Sequence, residues 1–186
     1  MSTESRVRYA IDVEDKISFV DEGWCRFAEA NHAEELRPPA ILGQSLWDHI
    51  TDATTRTLYQ QVVARVRQGK SAVFTLRCDG PSCRRLLEMT VRASSDGSVE
   101  FETRARWVED REPVALLSQK MTRSTDVVRM CAWCNRVDVG FGSNDWVEVE
   151  DATERLQLFE FERMPWLTHA ICEACLASMT DTLANL

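Results

Sequence analysis

The sequence predicts an α+β chain, a five-stranded antiparallel sheet with flanking helices followed by a small zinc-finger-like module, and three observations carry that expectation. Apolar residues alternate with period two between Ala72 and Trp107, which reads as three successive strands. Leu58, Val62 and Val66 recur at four-residue spacing, which reads as one long helix from Asp52 to Gln68. Two matched pairs, Cys131-Ala132-Trp133-Cys134 and Cys172-Glu173-Ala174-Cys175, stand 37 residues apart in the last third of the chain. Each pair presents two thiolates from one tight turn, and two such turns brought together make the tetrahedral S4 set that Zn2+ favours.

With 186 residues and 44% hydrophobic content, the chain can bury one core of ordinary size plus a smaller appendage. No apolar run approaches the roughly 20 residues of a membrane span, and Met1 to Arg8 lacks the apolar centre of a signal peptide. A soluble, cytoplasmic protein is expected. A reducing compartment favours metal ligation over disulfides for the seven cysteines. The net charge of −8 leaves neither half of the chain with a basic excess, so direct binding to nucleic acid is not expected.

Residues 7–108 form the first expected domain. Tyr9–Val13 and Ile17–Val20 read as paired strands across Glu14-Asp15-Lys16, and Trp24–Ala30 reads as a short helix. Pro38-Pro39 ends what precedes it. The long helix has Thr51 or Asp52 for an N-cap and Gly69 at its stop. Ala72, Phe74, Leu76 and Cys78 then face one way. So do Leu87, Met89, Val91 and Ala93, and Val99, Phe101, Thr103, Ala105 and Trp107, with Glu100, Glu102, Arg104 and Arg106 opposite. Asp79-Gly80-Pro81-Ser82 and Ser94-Ser95-Asp96-Gly97 supply the turns.

This order of elements resembles the PAS domain. The resemblance is carried by Ile11-Asp12 through Ile17-Ser18-Phe19-Val20-Asp21, by Asp21 to Ala28, by Gly43-Gln44-Ser45-Leu46-Trp47-Asp48-His49-Ile50 and by the Asp79-Gly80 turn. It implies a sheet of strand order 2-1-5-4-3, a sensory or interaction role and a homodimer. Gly80 to Leu87 is superficially similar to the flavin-adduct motif of LOV photosensors, but it falls in a strand-to-strand turn, and an incidental thiol is the simpler reading. The long helix carries no histidine to ligate haem, and His32 and His49 read as packing or capping residues. Trp24, Phe27, Trp47, Tyr59, Phe74, Phe101 and Trp107 read as core rather than as a ligand pocket, so a filled, ligand-free core is expected.

Residues 109–130 turn polar and irregular and read as a linker with room for a last strand or short helix. Residues 131–186 form the cysteine module. It carries a turn at Gly140 to Asn144, an extended Trp146 to Val149, and a helix near Asp151 to Phe161 with Ala152, Leu156 and Phe159 on one face. A last helix aligns Leu176, Met179, Leu183 and Leu186. The segment also resembles a cysteine-rich extension of PAS modules in bacterial signalling proteins, through Cys131 to Arg136, Trp146 to Glu150 and Thr168 to Cys175.

Cys131, Cys134, Cys172 and Cys175 are the expected ligands of a structural Zn2+, with His169 as a hydrogen-bond partner of a thiolate or an alternative ligand. Redox cycling of the Cys-x-x-Cys pairs is the rival reading, and iron–sulfur binding a further one. A closed S4 site leaves no position for a reacting water. No phosphate loop, nucleophile elbow or His-Glu-x-x-His pair occurs, and Glu34-Glu35 and Glu148 with Glu150 read as solvated faces or helix starts. The expectation is a non-catalytic signalling or regulatory protein that docks a protein partner. The alternative is a redox or metal sensor acting through the four cysteines, and a thiol oxidoreductase is a third option.

Overall fold

The computed structural model describes residues 6–158 and 162–186. It holds a five-stranded antiparallel sheet and a four-stranded sheet. The chain divides into two compact units. The first comprises residues up to Thr75, Leu87–Arg106 and Asp181–Leu186, and the second comprises Leu76–Leu86 and Trp107–Thr180. No helix among the described residues is long and apolar enough to cross a membrane.

In the first unit, β1 (Arg6–Ile11) and β2 (Ile17–Val20) form the hairpin read from the sequence. Its turn works without glycine because the Asp12 carboxylate accepts the backbone N–H groups of Glu14 (2.9 Å) and Lys16 (3.0 Å), while Asp15 takes φ 62°. Helix α1 (Glu22–Ala30) starts where the Asp21 side chain accepts the Trp24 N–H at 2.8 Å. Gly23 is required there, since a Cβ would lie 2.1 Å from the Arg6 carbonyl oxygen. Helix α2 (Ala53–Arg67) is capped by Asp52 through Thr55 N–H (2.7 Å) and stops at Gly69, φ 89°.

The four-residue stripe of α2 is the buried one: Leu58, Val62 and Val66 are at most 5% exposed. Phe101, fully buried, stacks on Tyr9 with centroids 4.6 Å apart, and Ile11, Ile17, Ile41, Val91 and Val99 complete the core. Strands β3 (Ser71–Arg77), β4 (Cys83–Ala93) and β5 (Val99–Asp110) follow the period-two reading. Two aromatic side chains expected in the core are open instead: Phe27, on α1, is 38% exposed and Trp107, on β5, 47%. Alternation sets which side a strand residue faces, but burial requires something packed on that side, and β5 is exposed from Arg106 onward.

The second unit is built from the stretch expected as a linker. Residues 109–130 supply a 3-10 turn at Ala115–Leu117 and most of β6 (Arg123–Cys131), the strand paired on both sides in the four-stranded sheet. Val114, Leu116, Val128 and Met130 from this stretch pack with Val137, Val149, Ala152, Leu158 and Met164 into one apolar cluster. Strands β7 (Val137–Asp138) and β8 (Trp146–Val147) run antiparallel beside β6, whereas β9 (Met164–Ala170) pairs with β6 in parallel. Helix α3 spans Val149–Arg155, beginning and ending earlier than the Asp151 to Phe161 expected, and Phe159 lies outside the described residues. In α4 (Glu173–Ala184), Met179 and Leu183 are buried, while Leu176 is 36% exposed.

Candidate metal centre

Parallel pairing of β6 and β9 explains how two distant cysteine pairs meet. Parallel strands finish at the same end of a sheet, and Cys131, the last residue of β6, stands in register with Ala170, the last of β9. Beyond each strand the chain turns sharply. After β6 the Asn135 N–H donates back to the Cys131 carbonyl at 3.0 Å, the Cys131 N–H donates to the Arg136 carbonyl at 2.7 Å, and Asn135 adopts φ 58°. After β9 the Ala132 N–H reaches the Ala170 carbonyl at 2.8 Å, which ties the first turn to the second, and α4 begins within the Cys172–Cys175 pair.

The Sγ atoms of Cys131, Cys134, Cys172 and Cys175 all lie within 4.8 Å of one another. Those of Cys134 and Cys172 are 3.8 Å apart. A tetrahedron of sulfurs each about 2.3 Å from a central Zn2+ has edges of about 3.8 Å, so the four side chains fit such an ion with little adjustment. Cys131 and Cys172 are buried, and Cys134 and Cys175 half-buried. Backbone N–H groups of Trp133 and Cys172, each at 3.4 Å, point at Cys131 Sγ, the arrangement that stabilises anionic sulfur.

Proton sharing within the cluster is unequal. A hydrogen bond from the Cys134 thiol, joined by the N–H groups of Cys172 and Trp133, brings Cys131 down to about 5 against the opposing effect of burial. The same shared proton, with burial, pushes Cys134 up. Burial first, then the charge on Cys131, pushes Cys175 up to about 12. Ionising all four sulfurs together would require a cation among them.

His169, expected beside the cluster, is exposed on β9 opposite Met130 and is not among the side chains that gather there. Cys25, Cys78 and Cys83 also lie outside the cluster, and Cys83 opens strand β4, as its strand-to-strand setting implies. Sequence reasoning missed the charged residues next to the first turn. Glu148 and Glu150, expected as solvated faces or helix starts, do begin α3, and beyond that Glu148 accepts from Arg136 (3.0 Å) and Arg77 (2.6 Å), and Glu150 pairs with Arg84 (2.8 Å) and Arg111 (3.0 Å). Burial opposes the charge of Glu148, yet its two arginine partners outweigh this and hold the carboxyl below its ordinary value. The hydrogen bond to Glu148 and the sulfurs of Cys134 and Cys172 in turn favour the charged Arg136. The one available signal was Arg136 itself, a fixed cation two residues after Cys134.

No protein-family model matches the chain, and no curated protein matches it.

Proposed function

We propose that this chain is a non-catalytic signalling or regulatory protein, a PAS-like sensory or interaction unit joined to a unit held by a structural Zn2+, with protein–protein contact as its output. The convergence of four sulfurs within 4.8 Å of one another carries the reading. Supporting it, Cys131, Cys134, Cys172 and Cys175 fill a tetrahedral shell completely, so the ion's contribution is to folding rather than to activating water. The strand order β2-β1-β5-β4-β3, with helices between β2 and β3, supports the PAS-like reading of the first unit.

Titration of the metal-free full chain with Co2+ tests the site. The reading expects saturation at one ion per chain, with thiolate charge-transfer bands and the strong visible absorption of a tetrahedral sulfur site, displaced by Zn2+. Saturation without sulfur-to-metal bands would overturn it.

A redox-sensing role is the second reading, favoured by the partial exposure of Cys134 and Cys175, which opens the cluster to small oxidants. Mild peroxide that releases the metal reversibly and alters partner binding or oligomeric state favours the sensor. Metal that stays bound favours the purely structural role.

A further inference from the structure

Residues Leu76–Leu86, the tip of the β3–β4 hairpin, belong to the second unit and are tied to the first cysteine turn at two levels. Along the backbone, the Arg77 N–H donates to the Trp133 carbonyl at 2.7 Å. Trp133 lies between Cys131 and Cys134, and its own N–H points at Cys131 Sγ. Through side chains, Arg77 Nη1 donates to Glu148 Oε2 at 2.6 Å, and Glu148 Oε1 accepts from Arg136 Nε at 3.0 Å.

The network continues into the tip. Arg77 pairs with the fully buried carboxylate of Asp79, which Arg111 approaches at 3.5 Å. Arg111 also donates to the Gly80 carbonyl at 2.8 Å and pairs with Glu150, which meets Arg84 at 2.8 Å. Charges therefore alternate without a gap from the cysteine turn to the hairpin: Arg136, Glu148, Arg77, Asp79, Arg111, Glu150, Arg84.

We propose that this chain of groups makes the β3–β4 hairpin tip a metal-dependent clamp, held closed by the ligated Cys131–Cys134 turn through Trp133 and through the Arg136–Glu148–Arg77 bridge. The clamp rests on the metal reading above and adds what the metal controls. Because metal binding couples to folding, ligation of its sulfurs stabilises a Cys-x-x-Cys turn beyond its backbone hydrogen bonds, and the Trp133 carbonyl and the start of the Arg136 side chain adjoin that turn. Releasing the turn removes the acceptor of the Arg77 N–H and one anchor of Glu148, so the tip opens as a local unit.

Hydrogen exchange of the full chain, read by mass spectrometry on peptides covering residues 76–86, tests the clamp in the Zn2+-loaded and chelated protein and in Glu148→Gln and Arg136→Ala. Chelation should speed exchange in the tip. The Zn2+-loaded Glu148→Gln protein should keep one ion per chain and a protected cysteine turn while its tip exchanges about tenfold faster, since a charge-assisted bridge is lost. Arg136→Ala should act in the same direction. A tip equally protected in the loaded wild type and in both loaded variants, or unmoved by chelation that frees the cysteine turn, overturns the clamp and leaves the metal reading standing. A chain that takes up no Zn2+ overturns both.

Discussion

The Sγ atoms of Cys134 and Cys172, contributed by separate turns, stand 3.8 Å apart. Parallel pairing of β6 with β9 produces this closeness, because it brings both Cys-x-x-Cys turns to one end of the four-stranded sheet.

Replacing Cys131 by Ser removes the sulfur that collects two backbone N–H groups. Zinc content should fall from about one per chain to well below that, and the second unit should lose its cooperative melting while the first keeps its helical and sheet signal. Metal analysis with circular dichroism checks this. Unchanged zinc content in the variant would remove Cys131 from the shell.

Metal affinity should weaken as pH falls. In the metal-free cluster the proton shared with Cys131 keeps Cys134 protonated, and burial with the nearby anion holds Cys175 up at about 12, so ion uptake must displace protons from both. Each displaced proton costs about tenfold in affinity per unit of pH lowered. Competition against a chromophoric chelator between pH 8 and pH 6 measures the slope, and a flat profile would mean the thiols do not ligate.

Asp138 organises the loop between β7 and β8. Its buried carboxylate pairs with Arg129 and accepts the N–H groups of Gly140 and Gly142, each at 3.0 Å. Burial opposes the charge, but these partners prevail and hold the carboxyl below its ordinary value. The sign follows. Its stabilising effect is complete above the unfolded carboxyl value near 4 and is lost as pH falls through the lower folded value. Asp138→Ala should destabilise the second unit by roughly 2–4 kcal/mol at neutral pH, with the gap to wild type closing in acid. Denaturant unfolding at several pH values reads it.

Phe101 is the test of the first core. Phe101→Ala should cost about 3–5 kcal/mol, and Phe101→Asp should unfold the unit, because a carboxylate there has no solvent. A well-folded Asp variant in circular dichroism would place the strand the other way round. Gly23→Ala should lower the urea midpoint too, since the Arg6 backbone cannot retreat from the added Cβ.

Much of this was legible in the sequence where one local rule decides the outcome. The Leu58-Val62-Val66 stripe, the Asp52 cap and the inward Phe74, Met89, Val91 and Phe101 follow from period alone. The two Cys-x-x-Cys pairs announced their own meeting. What escaped depends on distant partners. Val128 and Met130 fall in a polar stretch that reads as a linker with room for a last strand, because their burial comes from Val137, Val149, Ala152, Leu158 and Met164 further along the chain. Glu148 looked solvated because its arginines come from Arg77, 71 residues earlier, and Arg136. The hairpin at Asp12 to Lys16 was legible from its two flanking strands although no glycine marks its turn, since the Asp12 carboxylate does that work locally. His169 fits the spacing of a ligand, but it stands exposed on β9, opposite Met130, while Cys172 two residues beyond that strand is buried.

X-ray absorption at the zinc edge of the purified full chain probes the sulfur cluster most directly. Four sulfur neighbours at about 2.3 Å, at one zinc per chain, are expected from the side chains that converge there. A first shell containing nitrogen or oxygen, or a chain that holds no stoichiometric zinc, would contradict a Cys131, Cys134, Cys172 and Cys175 metal centre.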